Sequence, residues 1–176
     1  GYFIKKLINY ETTAGTASNT YNGVRYSFPL VRMSDLYLLY AEALNEANST
    51  PVADVYAYTD KVRERAGLKG VVESWKKSKL ANKPNTQEGM REIIHQERLN
   101  ELACEGVRSA DLRRWKEAMD YLNQPVRGWN YQGETADSYY TVVTYANRIF
   151  KTKDYLWPIK TNSITINSNL VQNPGW

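Results

Sequence analysis

One cysteine, Cys104, and one histidine, His95, are all that the 176 residues offer of the side chains that make disulfides and most metal sites. A lone thiol closes no intrachain disulfide, and one Cys with one His excludes the clustered zinc and iron sites that need several such ligands. Long apolar runs are missing too: no stretch approaches the roughly 20 residues of a membrane-spanning helix. Nor is there a large excess of charge. The 23 Lys and Arg against 19 Asp and Glu leave a net charge of +4. The basic residues from Lys61 to Lys83 are spread as on a solvated face, so no nucleic-acid partner is expected. Aromatic residues, in contrast, are plentiful, with 14 Tyr and five Trp among many side-chain amides. Such rings suit a surface that stacks on sugars, and they suit a core equally well.

The stretch from Thr86 to Leu122, TQEGMREIIHQERLNELACEGVRSADLRRWKEAMDYL, organises the rest. It reads as two helices with an elbow at Gly106. At about 100° per residue, Met90, Ile93, Ile94 and Cys104 share one face of the first helix, and Glu97 and Glu101 fall in the middle of it. The second helix repeats the device, with Asp111 among Leu112, Trp115, Ala118 and Leu122. A buried charge is costly unless it is paired and hydrogen-bonded. The expectation is therefore a buried arginine–carboxylate network built from Glu97, Arg98, Glu101, Arg108, Asp111 and Arg114, with Arg32, Arg63 and Arg65 at hand. Cys104 reads as a small buried helix residue.

Along the chain, Gly1 to Tyr10 has the alternation of a strand, and a polar loop follows to Asn22. Ser34 is placed to cap a helix in which Leu36, Leu39, Tyr40, Ala43 and Ala47 form one apolar stripe. Pro51 opens a second helix lined by Val55, Thr59, Val62 and Ala66, and Gly67 ends it. The short link makes the two helices antiparallel, a hairpin of tetratricopeptide type that cannot bury its own face alone. Lys69 to Pro84 is a basic excursion with a helical turn near Trp75, and Thr86 caps the helix after it. Gln124 to Ser138 reads as an aromatic loop, Tyr140 to Phe150 and YLWPI as two strands, and the last residues as turns anchored by Leu170 and Trp176.

Four segments, PLVRMSDLYLLYAEALNEAN, DKVRERAGL, EIIHQERLNELACEGVRSADLRRW and YLWPIKTNSITINSNLVQNPGW, in this order, resemble the C-terminal region of the SusD/RagB family. The departures are small: Cys104 stands where an aromatic residue is usual, Lys160 where a second proline is common, and Ser163 where an acid is common. The resemblance implies a mainly α, SusD-like fold with tetratricopeptide-like hairpins and a small β element near the C-terminus. It also implies that residues 1–176 are a C-terminal domain whose lipidated N-terminal part and further hairpins lie outside this chain. By the same resemblance, the protein is a noncatalytic, lipid-anchored lipoprotein on the outer face of the outer membrane in Bacteroidota-type bacteria. It captures an oligosaccharide or polysaccharide for a SusC-type TonB-dependent transporter, and needs no cofactor or metal.

Two readings of particular residues compete with it. Glu97 and Glu101, one helical turn apart, have the loose spacing of a glycosidase's carboxylates, but apolar residues flank them on both sides and favour an ion-pair role. Trp129, Tyr131, Tyr139 and Tyr140 are the one aromatic cluster on an expected loop, and are the candidates for a glycan-stacking platform. The same rings could only anchor that loop, leaving the chain a protein-interaction module that docks the transporter.

Overall fold

The computed structural model describes residues 4–15 and 20–176. They divide into two compact units, 4–107 and 108–176.

Among the described residues, the regular structure of the first unit is helical apart from a small antiparallel ribbon, β1 (Thr13–Ala14) with β2 (Tyr21–Asn22). The strand expected over Gly1 to Tyr10 is not formed by residues 4–10, and Gly1 to Phe3 lie outside the described residues. Helices α1 (Met33–Ala47) and α2 (Ala53–Arg65) form the hairpin, α3 (Val71–Trp75) is the short turn in the basic excursion, and α4 (Gln87–Glu101) crosses α1. Helix α2 ends as Gly67 takes φ +74°, a left-handed conformation that lets the Gly67 and Leu68 N–H groups bond back to the Glu64 and Arg63 carbonyls,. Helix α4 begins where Thr86 Oγ1 accepts the Gly89 N–H at 3.1 Å. Gly89 also lets the Lys83–Asn85 turn lie against the helix, since a Cβ there would stand 2.1 Å from the Lys83 carbonyl oxygen.

Ala41, Val55, Val71, Met90, Ile93 and Ile94 form the core of this unit, with Leu38 fully buried as well. At about 25 cal/mol per Å², each large member contributes about 1.5–3 kcal/mol. The face that α1 buries corrects the sequence pattern. Leu36, Leu39, Tyr40, Ala43 and Ala47 are exposed, whereas Ser34, Leu38, Ala41, Glu42 and Asn45 are buried. The polar members of the buried face have partners. Asn45 Nδ2 donates to the Gln87 carbonyl at 2.9 Å, Gln87 Nε2 donates to the Asn45 carbonyl at 3.1 Å, and Glu42 lies 4.0 Å from Arg98. Both flanks of this helix are apolar enough to bury, and the hydrogen bonds select one. Ser34 is likewise not the cap; Arg32 holds that position without a side-chain cap bond. Cys104 is exposed and outside the helix, at φ +66°, because α4 stops at Glu101 and the chain turns through Cys104 and Gly106 (φ +82°).

In the second unit the expected single helix is two, α5 (Arg108–Arg114) and α6 (Ala118–Leu122), broken where Lys116 takes φ +60°. Leu112, Ala118 and Phe150 make its core, with Leu122 and Tyr155 against them. The expected loop from Gln124 contains β3 (Pro125–Trp129) and the short helix α7 (Ala136–Tyr139). Strand β3 pairs antiparallel with β4 (Val142–Asn147), so the partner of the β-branched run precedes it instead of following in YLWPI. Residues 152–155 are a 3₁₀ turn, and α8 (Thr161–Ile166) occupies part of the tail that reads as turns. Among the described residues no helix is long and apolar enough to cross a membrane.

Candidate functional site

Strands β3 and β4 form a two-stranded ribbon with rings on both sides. Trp129 pairs with Val142 and Arg127 with Thr144, so by the pleat these four side chains share one face, while Gly128 and Val143 share the other,. A register shift between Val126 and Arg127 leaves Tyr145 as the extra residue of β4, a bulge that aims its ring over Gly128,. A Cβ on Gly128 would meet that ring at 3.2 Å, which is why a residue without a side chain suits the position.

Trp129, Tyr139 and Tyr140 come together. The Trp129 ring is 5.1 Å from Tyr140 at 82° and 6.0 Å from Tyr139 at 54°, and the two tyrosines meet edge to face at 5.2 Å. Local chemistry sets this up: Thr135 and Ser138 cap α7 reciprocally, which fixes Tyr139 and the following Tyr140,. Gly133 lets the preceding turn press on α7, as a Cβ there would stand 2.5 Å from the Tyr139 nitrogen. Tyr140 remains 62% exposed, so one ring of the cluster is open to a ligand.

Tyr131 does not join that cluster. It stacks nearly parallel on Tyr145, at 5.5 Å and 21°, and is 69% exposed. The Tyr145 hydroxyl donates to the Trp129 carbonyl at 2.6 Å and accepts the Tyr131 N–H at 3.2 Å, tying the end of β3 to β4. Tyr145 is the residue that sequence reasoning missed. Its strand was legible, but the bulge that turns its ring toward Tyr131 depends on pairing with β3, which reads as loop.

The charged residues separate into two groups. In the first unit Arg98 is 3% exposed and holds Asp35 at 2.8 Å, Arg63 holds Glu97, and Glu101 lies between Arg32 at 2.8 Å and Arg65 at 2.7 Å. Arg32 also grips Glu105 with two nitrogens, at 2.7 and 2.9 Å, and Lys6 reaches the same carboxylate. Burial pushes the Glu101 and Glu105 carboxyls up, yet hydrogen bonds from Arg32, from Ser34 to Glu101 and from Lys6 to Glu105 outweigh it, with the neighbouring charges, and both end below the usual carboxylate range,. The Arg32 guanidinium is raised in turn, first by its hydrogen bond to Glu105. In the second unit Arg114 holds Asp111 at 2.9 Å, and Arg108 lies over the Trp115 and Tyr121 rings at 5.6 and 4.9 Å. Glu97 and Glu101 are thus each enclosed by arginine and shielded from solvent, with side chains 12% and 10% exposed; they do not face each other across an open cleft. Among the described residues no group of three His, Cys, Asp or Glu could hold a metal ion.

The model of the SusD family matches residues 1–176. Two SusD-like proteins of Formosa agariphila are similar. P2 is 32% identical over 176 residues, covering 97% of this chain and 30% of its own length. P25 is 40% identical over 91 residues, 52% of this chain and 16% of its own. Among solved structures, a SusD-like protein from Bacteroides fragilis NCTC 9343 superposes with TM-score 0.65 at 29% identity, over 81% of this chain and 25% of that one. A SusD homolog from Bacteroides thetaiotaomicron VPI-5482 gives 0.54 at 27% identity, over 95% and 30%. The chain therefore spans less than a third of the length of these relatives. With the family match running through every element described above, the chain belongs to the SusD family.

Proposed function

We propose that this chain is the C-terminal domain of a noncatalytic, lipid-anchored nutrient-binding protein on the outer face of the outer membrane. It binds an oligosaccharide on the rings of the β3–β4 ribbon, and the whole protein passes that ligand to a SusC-type TonB-dependent transporter. The family match supports the class, and the observation that carries the site is the open Tyr140 ring braced against Trp129. Ring faces of this kind receive the C–H faces of pyranoses. The second reading, a transporter-docking module without a ligand site, is favoured by the outward stripe of Leu36, Leu39 and Tyr40 on α1.

Calorimetric titration of the chain with a panel of oligosaccharides separates them. Covering roughly 60 Å² of ring at about 25 cal/mol per Å² contributes about 1.5 kcal/mol, so Tyr140→Ala weakens glycan binding about tenfold with an unchanged melting temperature. Because Tyr131 lies on the opposite side of the ribbon, Tyr131→Ala leaves that affinity intact. Equal affinity in Tyr140→Ala and the parent would leave the docking module as the better account, and turnover of any glycan would end the noncatalytic one.

A further inference from the structure

Arg113 stands outside the ion pairs of the second unit. Asp111 is taken by Arg114, and no described carboxylate pairs with Arg113. Its guanidinium carbon instead lies 5.6 Å from the centre of the Phe150 ring and 5.5 Å from that of Trp157, and its buried Nε finds no hydrogen-bond partner among the described residues. Trp157 is 75% exposed, an unusual position for so large a ring. Its main chain is nevertheless held in place. The Trp157 carbonyl accepts from Asn173 at 2.6 Å, and Gln172 bonds both the N–H and the carbonyl of Ile159, at 2.8 and 2.9 Å. The tail thus presents the indole on a fixed backbone, with Pro158 next in sequence.

A guanidinium in contact with aromatic rings still offers N–H donors to an in-plane acceptor. Arg113 is half-buried, and of its guanidinium only Nε is buried without a partner, so the two Nη groups keep contact with solvent, a fork that fits the paired oxygens of a carboxylate or a sulfate,. Residues 108–176 carry nine Lys and Arg against six Asp and Glu, a basic balance that favours anions over cations,.

We propose that Trp157 and Arg113 form a subsite for an acidic sugar, whose ring stacks on the exposed indole while its carboxylate or sulfate takes the Nη edge of Arg113. This rests on the glycan-binding reading above and narrows its substrate class to anionic polysaccharides. In contact with two rings, the guanidinium gives up little freedom on binding, and its partial desolvation strengthens the contact,.

The test is calorimetry on the full chain with acidic tetrasaccharides, both uronate-containing and sulfated, each beside its methyl-esterified or desulfated counterpart. The acidic form binds roughly tenfold tighter or more, as expected for a charge-assisted pair, and the advantage shrinks with added salt. Arg113→Gln abolishes the preference, and Arg113→Lys, which keeps the charge but not the fork, retains part of it. Trp157→Ala weakens both forms without lowering the melting temperature. Preference for the uronates assigns a carboxylate, and preference for the sulfated sugars assigns a sulfate. Neutral and acidic forms binding alike, or a preference indifferent to Arg113→Gln and Arg113→Lys, overturns this subsite and leaves the glycan-binding reading standing. Failure of every glycan to bind overturns both.

Discussion

Replacing Glu101 with glutamine removes one charge and almost no volume, which makes it the cleanest perturbation of the first unit. Losing one partner of a fully buried pair costs about 3–5 kcal/mol, and losing an exposed one about 0–1 kcal/mol. Glu101 stands between these limits. Its side chain is 10% exposed, Arg32 is 22% exposed and keeps Glu105, and Arg65 at 62% can return to water. Glu101→Gln should therefore cost about 2 kcal/mol, a fall of roughly 5–10 °C in melting temperature for a unit of this size. The effect should depend on pH in one direction only. The folded carboxyl lies below its usual value, so its contribution is complete above the unfolded value of about 4.3. It disappears as the pH drops through the lower, folded value. Parent and variant unfolding curves, separated at pH 7, should converge in acid. Glu73→Gln, at an exposed pair with Lys69 on the surface, serves as the control and should change nothing measurable. Equal stabilities of the parent and Glu101→Gln at pH 7 would refute the claim that this carboxylate is held inside by arginine.

Three further changes probe the packing and the backbone. Leu38→Ala empties a fully buried position and should cost about 2–5 kcal/mol in urea unfolding. Leu36→Ala, on the outward side of the same helix, should cost less than about 1 kcal/mol. Cys104→Gly relieves a side chain at φ +66° and should raise stability by about 0.5 kcal/mol, the left-handed penalty less the entropy of glycine, measured by the same curves.

Sequence pattern and structure agree where one physical signal dominates. Helix α2 was legible to its last turn because Val55, Thr59 and Val62 repeat at helical spacing and Gly67 ends the run. Helix α1 was legible as a helix and not by its buried side, since periodicity finds an apolar stripe but not what faces it. There, Asn45 and Glu42 go inward on the strength of Gln87 and Arg98, residues some 40 or more positions away. The ribbon shows the same limit. Strand β4 stands out by its β-branched residues, while β3 (PVRGW) carries a proline and a glycine that read as loop until pairing with β4 is known. Of the candidate rings, Trp129, Tyr139 and Tyr140 share a cluster that their closeness in sequence suggested. Tyr131 parts from them because one bulge turns Tyr145 to the other side.

The outward side of α1 has a practical consequence. A screen that scores variants of residues 4–107 by their resistance to heat or denaturant would register changes at Leu38 and Ala41 and overlook those at Leu36, Leu39 and Tyr40. Yet an oily strip of that length makes molecules adhere to one another as concentration rises. Half of this helix would be silent in one assay and conspicuous in light scattering.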